Sequence, residues 1–249
     1  MERKANSSLE SISMSIKIKN LSKSFDELIL FNDFSIEFSS GTITCILGPS
    51  GCGKTTLLNI IGGLAEPTSG TITGINGQAL SYIFQEPRLL AWKTVRQNIE
   101  FVLNNAYAEA ERKIIAQNFI ELVELNGFEN YYPSQLSGGM RQRVSIARAF
   151  AYPSTLILMD EPLKGLDVKL KLNLIKAFAR IWQFDKRTVL FVTHDVDEAI
   201  LLGNDIIVFS QAPIEVVANK SINVPFSERE LNTPRYNELK EDLLRVLKD

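Results

Sequence analysis

The sequence predicts an α/β fold in which helices cover both faces of a mostly parallel sheet. Two observations favour this fold: short apolar runs of strand length alternate with helical stretches, and 249 residues can bury a large core. An apolar run such as residues 42–47 suits a strand that is buried on both faces. The predicted strands are residues 16–18, 34–38, 42–47, 71–75, 80–84, 156–159, 188–192, 206–209 and 214–217.

Apolar residues spaced three to four apart predict helices between these strands. Ile115, Phe119 and Leu122 follow this spacing in the middle of the chain, and Gly127 marks the end of that helix. The absence of predicted strands there indicates a helical insert at about residues 92–140. The predicted helices are residues 57–64, 95–125, 140–152, 168–184, 195–202 and 236–247, the last expected to pack back on the domain.

Composition and charge exclude several classes of protein. Lys and Arg total 27 against 29 Asp and Glu, and a formal net charge of −2 argues against binding nucleic acid through bulk positive charge. No apolar run reaches the roughly 18 residues of a membrane span. The polar, Ser-rich residues 1–13 are expected to form a flexible arm rather than a secretory signal. Cys45 and Cys52 are too few for a disulfide framework or a four-ligand zinc site.

A phosphate-binding loop follows the predicted strand at 42–47 and precedes a helix. Residues 48–55 match G-x-x-x-x-G-K-[ST], a pattern whose glycines turn backbone N–H groups toward phosphate oxygens. The N-terminal end of the helix would attract the same anion, and the Lys54 ammonium would reach the β- and γ-phosphates. The Thr55 hydroxyl is placed to bind Mg²⁺. The candidate nucleotide-binding residues here are Gly48, Pro49, Ser50, Gly51, Cys52, Gly53, Lys54, Thr55 and Thr56.

Polar side chains also follow two other predicted strands. Asp160 and Glu161 end the apolar run 156–159, and His194 follows the strand at 188–192. Because ligands of parallel sheets bind at the carboxyl ends of strands, these residues are expected to face the phosphate loop. Asp160 would hold Mg²⁺ through a water, Glu161 would polarise the attacking water, and His194 would donate to a γ-phosphate. The alternatives are a solvated strand end with two unrelated acids and an ordinary core or surface histidine.

A further motif completes a set that resembles one family. Residues 136–143, Leu-Ser-Gly-Gly-Met-Arg-Gln-Arg, resemble the signature motif of ATP-binding-cassette (ABC) ATPases. Six motifs follow in the order that the family shows: the phosphate loop, Gln85, the signature, Asp160-Glu161, Asp167 and His194. The resemblance covers about residues 14–225. It implies a P-loop NTPase core with an antiparallel β subdomain and an inserted helical subdomain at about 92–140, followed by a C-terminal helical tail at 226–249.

The resemblance also implies roles for residues outside the phosphate loop. Family members form head-to-tail dimers that sandwich two ATP molecules, so the signature of one subunit would contact ATP held by its partner. For the signature, the alternative to this contact is a plain helix cap. For Phe25, the alternative to a contact with adenine is an ordinary core phenylalanine. The residues concerned are Ser137, Gly138 and Gly139 for the partner's ATP, Gln85 for Mg²⁺ and the attacking water, Asp167 for the dimer contact and Phe25 for adenine.

The segment at residues 84–95 resembles the importer ATPases for nitrate, sulfonate, taurine and bicarbonate within that family. This implies a homodimer at the cytoplasmic face of the cell membrane. The dimer would bind permease subunits and, indirectly, an extracytoplasmic solute-binding protein, with no nucleic-acid partner. Leu89, Leu90 and Trp92 would form part of the groove that takes a permease helix, and the alternative is a buried loop of the helical insert.

Three features depart from that subfamily. Ala91 stands where proline is usual, the stretch between Gly70 and Gln85 is short, and Lys164 stands where small residues are commoner. The first two weaken the assignment of a solute, and the third touches the expected dimer contact. Export or lipoprotein-release ATPases and soluble ABC machines are the competing functions.

Overall fold

The computed structural model describes residues 15–75, 77, 79–231 and 233–248, so the arm predicted at residues 1–13 lies outside the described residues. The strands are β1 (Ile16–Phe25), β2 (Leu28–Phe38), β3 (Ile43–Leu47), β4 (Ser69–Thr73), β5 (Leu80–Ile83), β6 (Leu156–Asp160), β7 (Thr188–Val192), β8 (Asp205–Phe209) and β9 (Val216–Ser221). The helices are α1 (Lys54–Ile61), α2 (Val95–Leu103), α3 (Glu109–Leu122), α4 (Gly138–Ala151), α5 (Val168–Asp185), α6 (Val196–Leu202) and α7 (Pro234–Val246).

The larger sheet has the strand order β5-β6-β7-β3-β8-β9 and confirms the mostly parallel arrangement. Only its last pair, β8 and β9, is antiparallel. Every residue of β3, β6 and β7 is buried, as their continuous apolar runs predict for strands covered on both faces. These three strands are neighbours, so the loops that leave their carboxyl ends meet at one edge of the sheet.

A smaller antiparallel sheet, in the order β2-β1-β4, packs beside α1. Ile16 pairs with Phe38 and Ile18 with Ile36, but the register then shifts. Asp33 has a left-handed backbone with φ of 55°, which interrupts the alternation of buried and exposed side chains. For this reason the predicted strand at 34–38 covers only the second half of β2.

Two predicted helices differ from the observed ones. Helix α1 begins at Lys54 rather than at residue 57, because Gly53 serves as its N-cap with φ of 117°, a conformation that suits glycine. The stretch predicted as one helix at 95–125 is two helices, α2 and α3. The second starts afresh where the Glu111 carboxylate accepts a hydrogen bond from the Ala108 N–H.

The last strand of the larger sheet is displaced from its predicted position at 214–217. Ile214 lies before β9, and its N–H donates to the Leu30 carbonyl of β2. Ser210 accepts a hydrogen bond from the Glu215 N–H through its side chain and so closes the turn ahead of the strand. Ile214 therefore links the two sheets through this hydrogen bond and does not pair with β8.

Helices α2, α3 and α4 pack on one another and form the helical insert. Ile99, Ile120 and Val144 are fully buried in the same apolar cluster as the larger sheet. The C-terminal α7 packs on α6 through Tyr236 and Leu243. Among the described residues, no helix combines the length and the apolar character that crossing a membrane requires.

Candidate active site

The phosphate loop joins β3 to α1 through two glycines that no other residue could replace without displacing a neighbour. A Cβ on Gly48 would lie 3.0 Å from the Phe209 carbonyl oxygen, and a Cβ on Gly53 would lie 3.0 Å from the Ile214 side chain. No side chain of the described residues caps the start of α1, so its first N–H groups are available to an anion. The loop is thus shaped as a backbone cradle at a helix N-terminus.

Lys54 is buried within this loop. Its Nζ donates hydrogen bonds of 2.7 Å to the carbonyl oxygens of both Gly48 and Pro49, and it lies 3.8 Å from Cys52 Sγ. Ser50 is exposed and Thr56 is half-buried. A positive charge is therefore fixed at the centre of the loop, where it favours a bound anion.

Asp160 ends β6 with a buried carboxylate whose Oδ1 has no hydrogen-bond partner among the described residues. Burial raises the pKa of this carboxyl above its ordinary value, as does Glu161, although the Thr55 hydroxyl and Lys54 act in the opposite direction. A buried carboxylate oxygen without a protein partner, next to a hydroxyl, is a donor set that suits Mg²⁺. Asp160 and Thr55 line a cleft of about 440 Å³ together with Asn59, Phe84, Gln85, Glu86, Arg88 and Lys164.

Glu161 directly follows β6 and has a left-handed backbone with φ of 45°. Its N–H donates to the Val192 carbonyl of β7 at 2.9 Å, which ties the turn to the neighbouring strand. Lys164 Nζ lies 2.6 Å from Glu161 Oε2, and His194 Nδ1 lies 3.5 Å from Oε1. Partial burial favours the neutral acid, but Lys164 and His194 outweigh it and hold the pKa of Glu161 below its ordinary value. The structure thus brings Glu161 and His194 together.

An ionic network that the sequence did not predict holds the segment around His194. Lys171 of α5 lies 2.7 Å from Glu198 and 2.9 Å from Asp195, and Thr193 donates a 2.6 Å hydrogen bond to Glu198. The Glu198 side chain is 4% exposed, and burial raises its pKa despite the hydrogen bonds from Lys171 and Thr193. The only signal in the sequence was a glutamate inside the otherwise apolar face of a short helix.

Gln85 lies on the wall of the cleft, directly after a stack of side chains. Tyr82 and Phe84 stack at 4.0 Å between ring centroids, and the Arg88 guanidinium lies 3.8 Å above the Phe84 ring. The Tyr82 hydroxyl donates to Asn59 of α1 at 3.0 Å. This stack connects the helix after the phosphate loop with the loop that carries Gln85.

The signature residues lie outside this cleft. Ser137 is the N-cap of α4, where its hydroxyl accepts a hydrogen bond from the Met140 N–H, and Gly138 and Gly139 form the first turn. Asp167 caps α5 in the same way. The capping geometry is therefore present at both positions, and Ser137, Gly138 and Asp167 are exposed.

Phe25 is at the end of β1 and is 50% exposed, which excludes the alternative of an ordinary core phenylalanine. The Lys23 ammonium lies 4.9 Å from the centre of its ring. The Phe25 ring is therefore accessible at the end of the antiparallel sheet, and an accessible aromatic ring can stack on a planar base.

The buried side chain of Asn98 makes several hydrogen bonds to the loop at residues 87–93. Asn98 of α2 accepts a hydrogen bond from the Leu90 N–H and donates to the carbonyl oxygens of Leu90, Lys93 and Thr94. Trp92 projects from this loop and is 72% exposed, whereas Leu89 and Leu90 are half-buried.

Comparison with known proteins agrees with this geometry. The family model for ABC transporters matches residues 31–164. An uncharacterized ABC transporter ATP-binding protein of Methanocaldococcus jannaschii is 38% identical, over 94% of this chain and 91% of that protein. The taurine import ATP-binding protein TauB of Yersinia pestis is 40% identical, over 77% of this chain and 78% of that protein.

A solved structure supports the same assignment. The dimeric post-hydrolysis state of the ATP-binding cassette MJ0796, bound to ADP and Pi, superposes with a TM-score of 0.74. It shares 31% identity with this chain, and the match covers 84% of this chain and 99% of that one. The resemblance drawn from the motifs is confirmed: the chain belongs to the ABC transporter family and is an ATP-binding, ATP-hydrolysing cassette of it.

Proposed function

We propose that the chain is the ATPase subunit of a bacterial importer, in which ATP-driven closure of a homodimer powers uptake through separate permease subunits. The observation that carries the proposal is the cleft itself. The unpaired Asp160 oxygen and the Thr55 hydroxyl meet there, Glu161 directly follows Asp160 in the chain, and the exposed signature at Ser137 lies elsewhere.

The residues of the cleft fit ATP with Mg²⁺. The phosphate loop and Lys54 would hold the β- and γ-phosphates, and Thr55, Asp160 and Gln85 would hold the metal, directly or through water. Mg²⁺, when bound, neutralises charge on the phosphate oxygens. The support is the buried Asp160 oxygen that lacks a partner in the part of the chain that the structure describes.

Glu161 and His194 would carry the chemistry of hydrolysis. Glu161 would accept a proton from the attacking water as a general base, because a carboxylate at hydrogen-bond distance from water can do so. His194, whose side chain is more than half exposed, would donate a hydrogen bond to the γ-phosphate. Their carboxylate–imidazole contact of 3.5 Å keeps the two groups together.

The second half of each site would come from the partner subunit. Ser137, Gly138, Gly139 and Asp167 would contact the nucleotide or loop of the partner, since three of these four residues are exposed and all lie at helix N-termini that favour anions. Phosphate contacts made across the interface would then close the dimer, and their loss after hydrolysis would open it.

A permease helix would dock on the loop that Asn98 supports. Exposed Trp92 and half-exposed Phe101 offer an apolar surface there. The solute would be a small anion or zwitterion of the nitrate, sulfonate, taurine or bicarbonate class, as the taurine-import relative supports. In that assembly the chain would lie at the cytoplasmic face of the membrane, and a solute-binding protein would act on the permease from outside.

The test of this proposal is affinity purification of the tagged chain from detergent-solubilised membranes of its host, followed by mass spectrometry. We expect recovery of a polytopic permease by the wild type and its loss in Trp92→Glu. Phe184→Glu is the matched control, because Phe184 is 93% exposed on α5. Recovery of only soluble or ribosomal partners, or equal recovery by both variants, would contradict the proposal.

A further inference from the structure

Lys164 lies in the exposed loop between β6 and α5, three residues after Glu161. Its Nζ is 2.6 Å from Glu161 Oε2, and His194 Nδ1 is 3.5 Å from Oε1. Both carboxylate oxygens therefore face a nitrogen atom, and the contact with Lys164 is the shorter one.

The backbone of this loop fixes the contact. The Lys164 N–H donates to the Glu161 carbonyl at 3.2 Å and closes a tight turn. Leu163 is fully buried within the turn, and Gln142 of α4 donates a 2.9 Å hydrogen bond to the Pro162 carbonyl. The ammonium reaches the carboxylate because the turn is anchored on both sides.

We propose that Lys164 restrains the Glu161 carboxylate in the separate subunit, so that this ion pair must open before Glu161 acts on the attacking water. The inference rests on the role proposed above for Glu161. An oxygen that accepts a short hydrogen bond from an ammonium group has fewer lone pairs to offer to a water proton. Lys164 acts on the reaction through Glu161 and is therefore a positioning residue.

The surroundings of Lys164 allow the pair to open. Lys164 lines the cleft together with Thr55, Asp160 and Gln85, where the phosphates of ATP are proposed to bind. The Lys164 side chain is 51% exposed, so it can leave the carboxylate for solvent without breaking packed contacts. Exposed ion pairs are weak enough for such an exchange. In the nucleotide-bound subunit the pair would therefore alternate between closed and open, and only the open fraction would have a free base.

The test is steady-state ATPase kinetics on the full-length chain. Lys164→Gln should raise kcat about two- to five-fold, the factor that an exposed ion pair supports, with an unchanged KM for ATP. Lys164→Arg keeps the cation and should keep the wild-type kcat. Lys169→Gln removes an exposed lysine from the first turn of α5 and controls for the loss of one positive charge.

The kcat values of these variants decide whether Lys164 restrains Glu161. An unchanged or lower kcat in Lys164→Gln, with ATP binding intact, would overturn the restraint, and so would an equal rise in Lys169→Gln. The double variant Glu161→Gln/Lys164→Gln separates this inference from the proposed function. If it still hydrolyses ATP, Glu161 is not the base; if it is inactive while Lys164→Gln is no faster than wild type, only the restraint fails.

Discussion

Removing Lys171 should destabilise the protein through the buried carboxylate that it leaves behind. In Lys171→Met the side chain keeps its approximate length, but Glu198 loses a partner at 2.7 Å and Asp195 loses one at 2.9 Å. The Glu198 side chain is buried, with the Thr193 hydroxyl as its remaining hydrogen-bond donor. The variant therefore tests whether this network holds the segment that carries His194.

The expected loss follows from the geometry. Breaking a buried ion pair by removing one partner costs about 3–5 kcal/mol, and the Thr193 hydrogen bond reduces this to about 2–4 kcal/mol at pH 7. Burial already raises the pKa of Glu198, and loss of Lys171 raises it further. Because the folded state then binds a proton more readily than the unfolded state, the stability of the variant rises as pH falls from 7 toward the unfolded pKa, by at most about 1.4 kcal/mol per pH unit.

Urea unfolding at pH 7 and pH 5, followed by circular dichroism, measures both effects. The control is the double variant Lys171→Met/Glu198→Gln, whose neutral amide can still accept from Thr193, and it should recover most of the loss at pH 7. The stability gap between the single and the double variant should narrow at pH 5. A loss below 1 kcal/mol, or a gap that does not change with pH, would refute this reasoning.

Two further substitutions test the supports of the helical insert and of the tail. Asn98→Ala leaves the backbone groups of Leu90 without their partner. It should lower the free energy of unfolding by about 2–4 kcal/mol, measured with urea, and weaken recovery of the permease. Wild-type stability with full recovery would contradict this. Arg229 donates to five carbonyl oxygens, including those of Ile200 and Gly203 at the end of α6, and burial lowers its pKa to about 10. Arg229→Ala should cost about 3 kcal/mol by calorimetry and Arg229→Lys less, because lysine keeps the positive charge; equal losses would show that the retained charge contributes nothing and would contradict this.

Sequence reasoning succeeded for the parts of the fold that depend on local pattern. Strands β3, β6 and β7 are continuous apolar runs, so their burial on both faces was predictable. The break between α2 and α3 was not, because residues 104–108 contain neither glycine nor proline and only the capping by Glu111 marks it. The early start of α1 depends on the left-handed Gly53, which periodicity does not report.

The candidate site also combines features that the sequence predicts with features that depend on packing. The phosphate loop and the acids at the end of β6 are contiguous motifs, so they can be identified directly from the sequence. The contact between Lys171 and Glu198 joins residues 27 positions apart in the sequence, and only the packing of α5 against α6 brings them together. The sequence marks Lys164 only as an unusual residue, because its contact with the carboxylate depends on the left-handed backbone of Glu161.

The most direct test of the central claim is the mass of Glu161→Gln in Mg²⁺ and ATP, measured by analytical ultracentrifugation with turnover assayed in parallel. We predict a dimer that forms only with ATP, holds two nucleotides and does not turn over. On the same background Ser137→Arg, which places a bulky side chain at the exposed start of α4, should remain a monomer while still binding ATP. Wild-type hydrolysis by Glu161→Gln, or a dimer that ignores both ATP and the Ser137 substitution, would contradict the account.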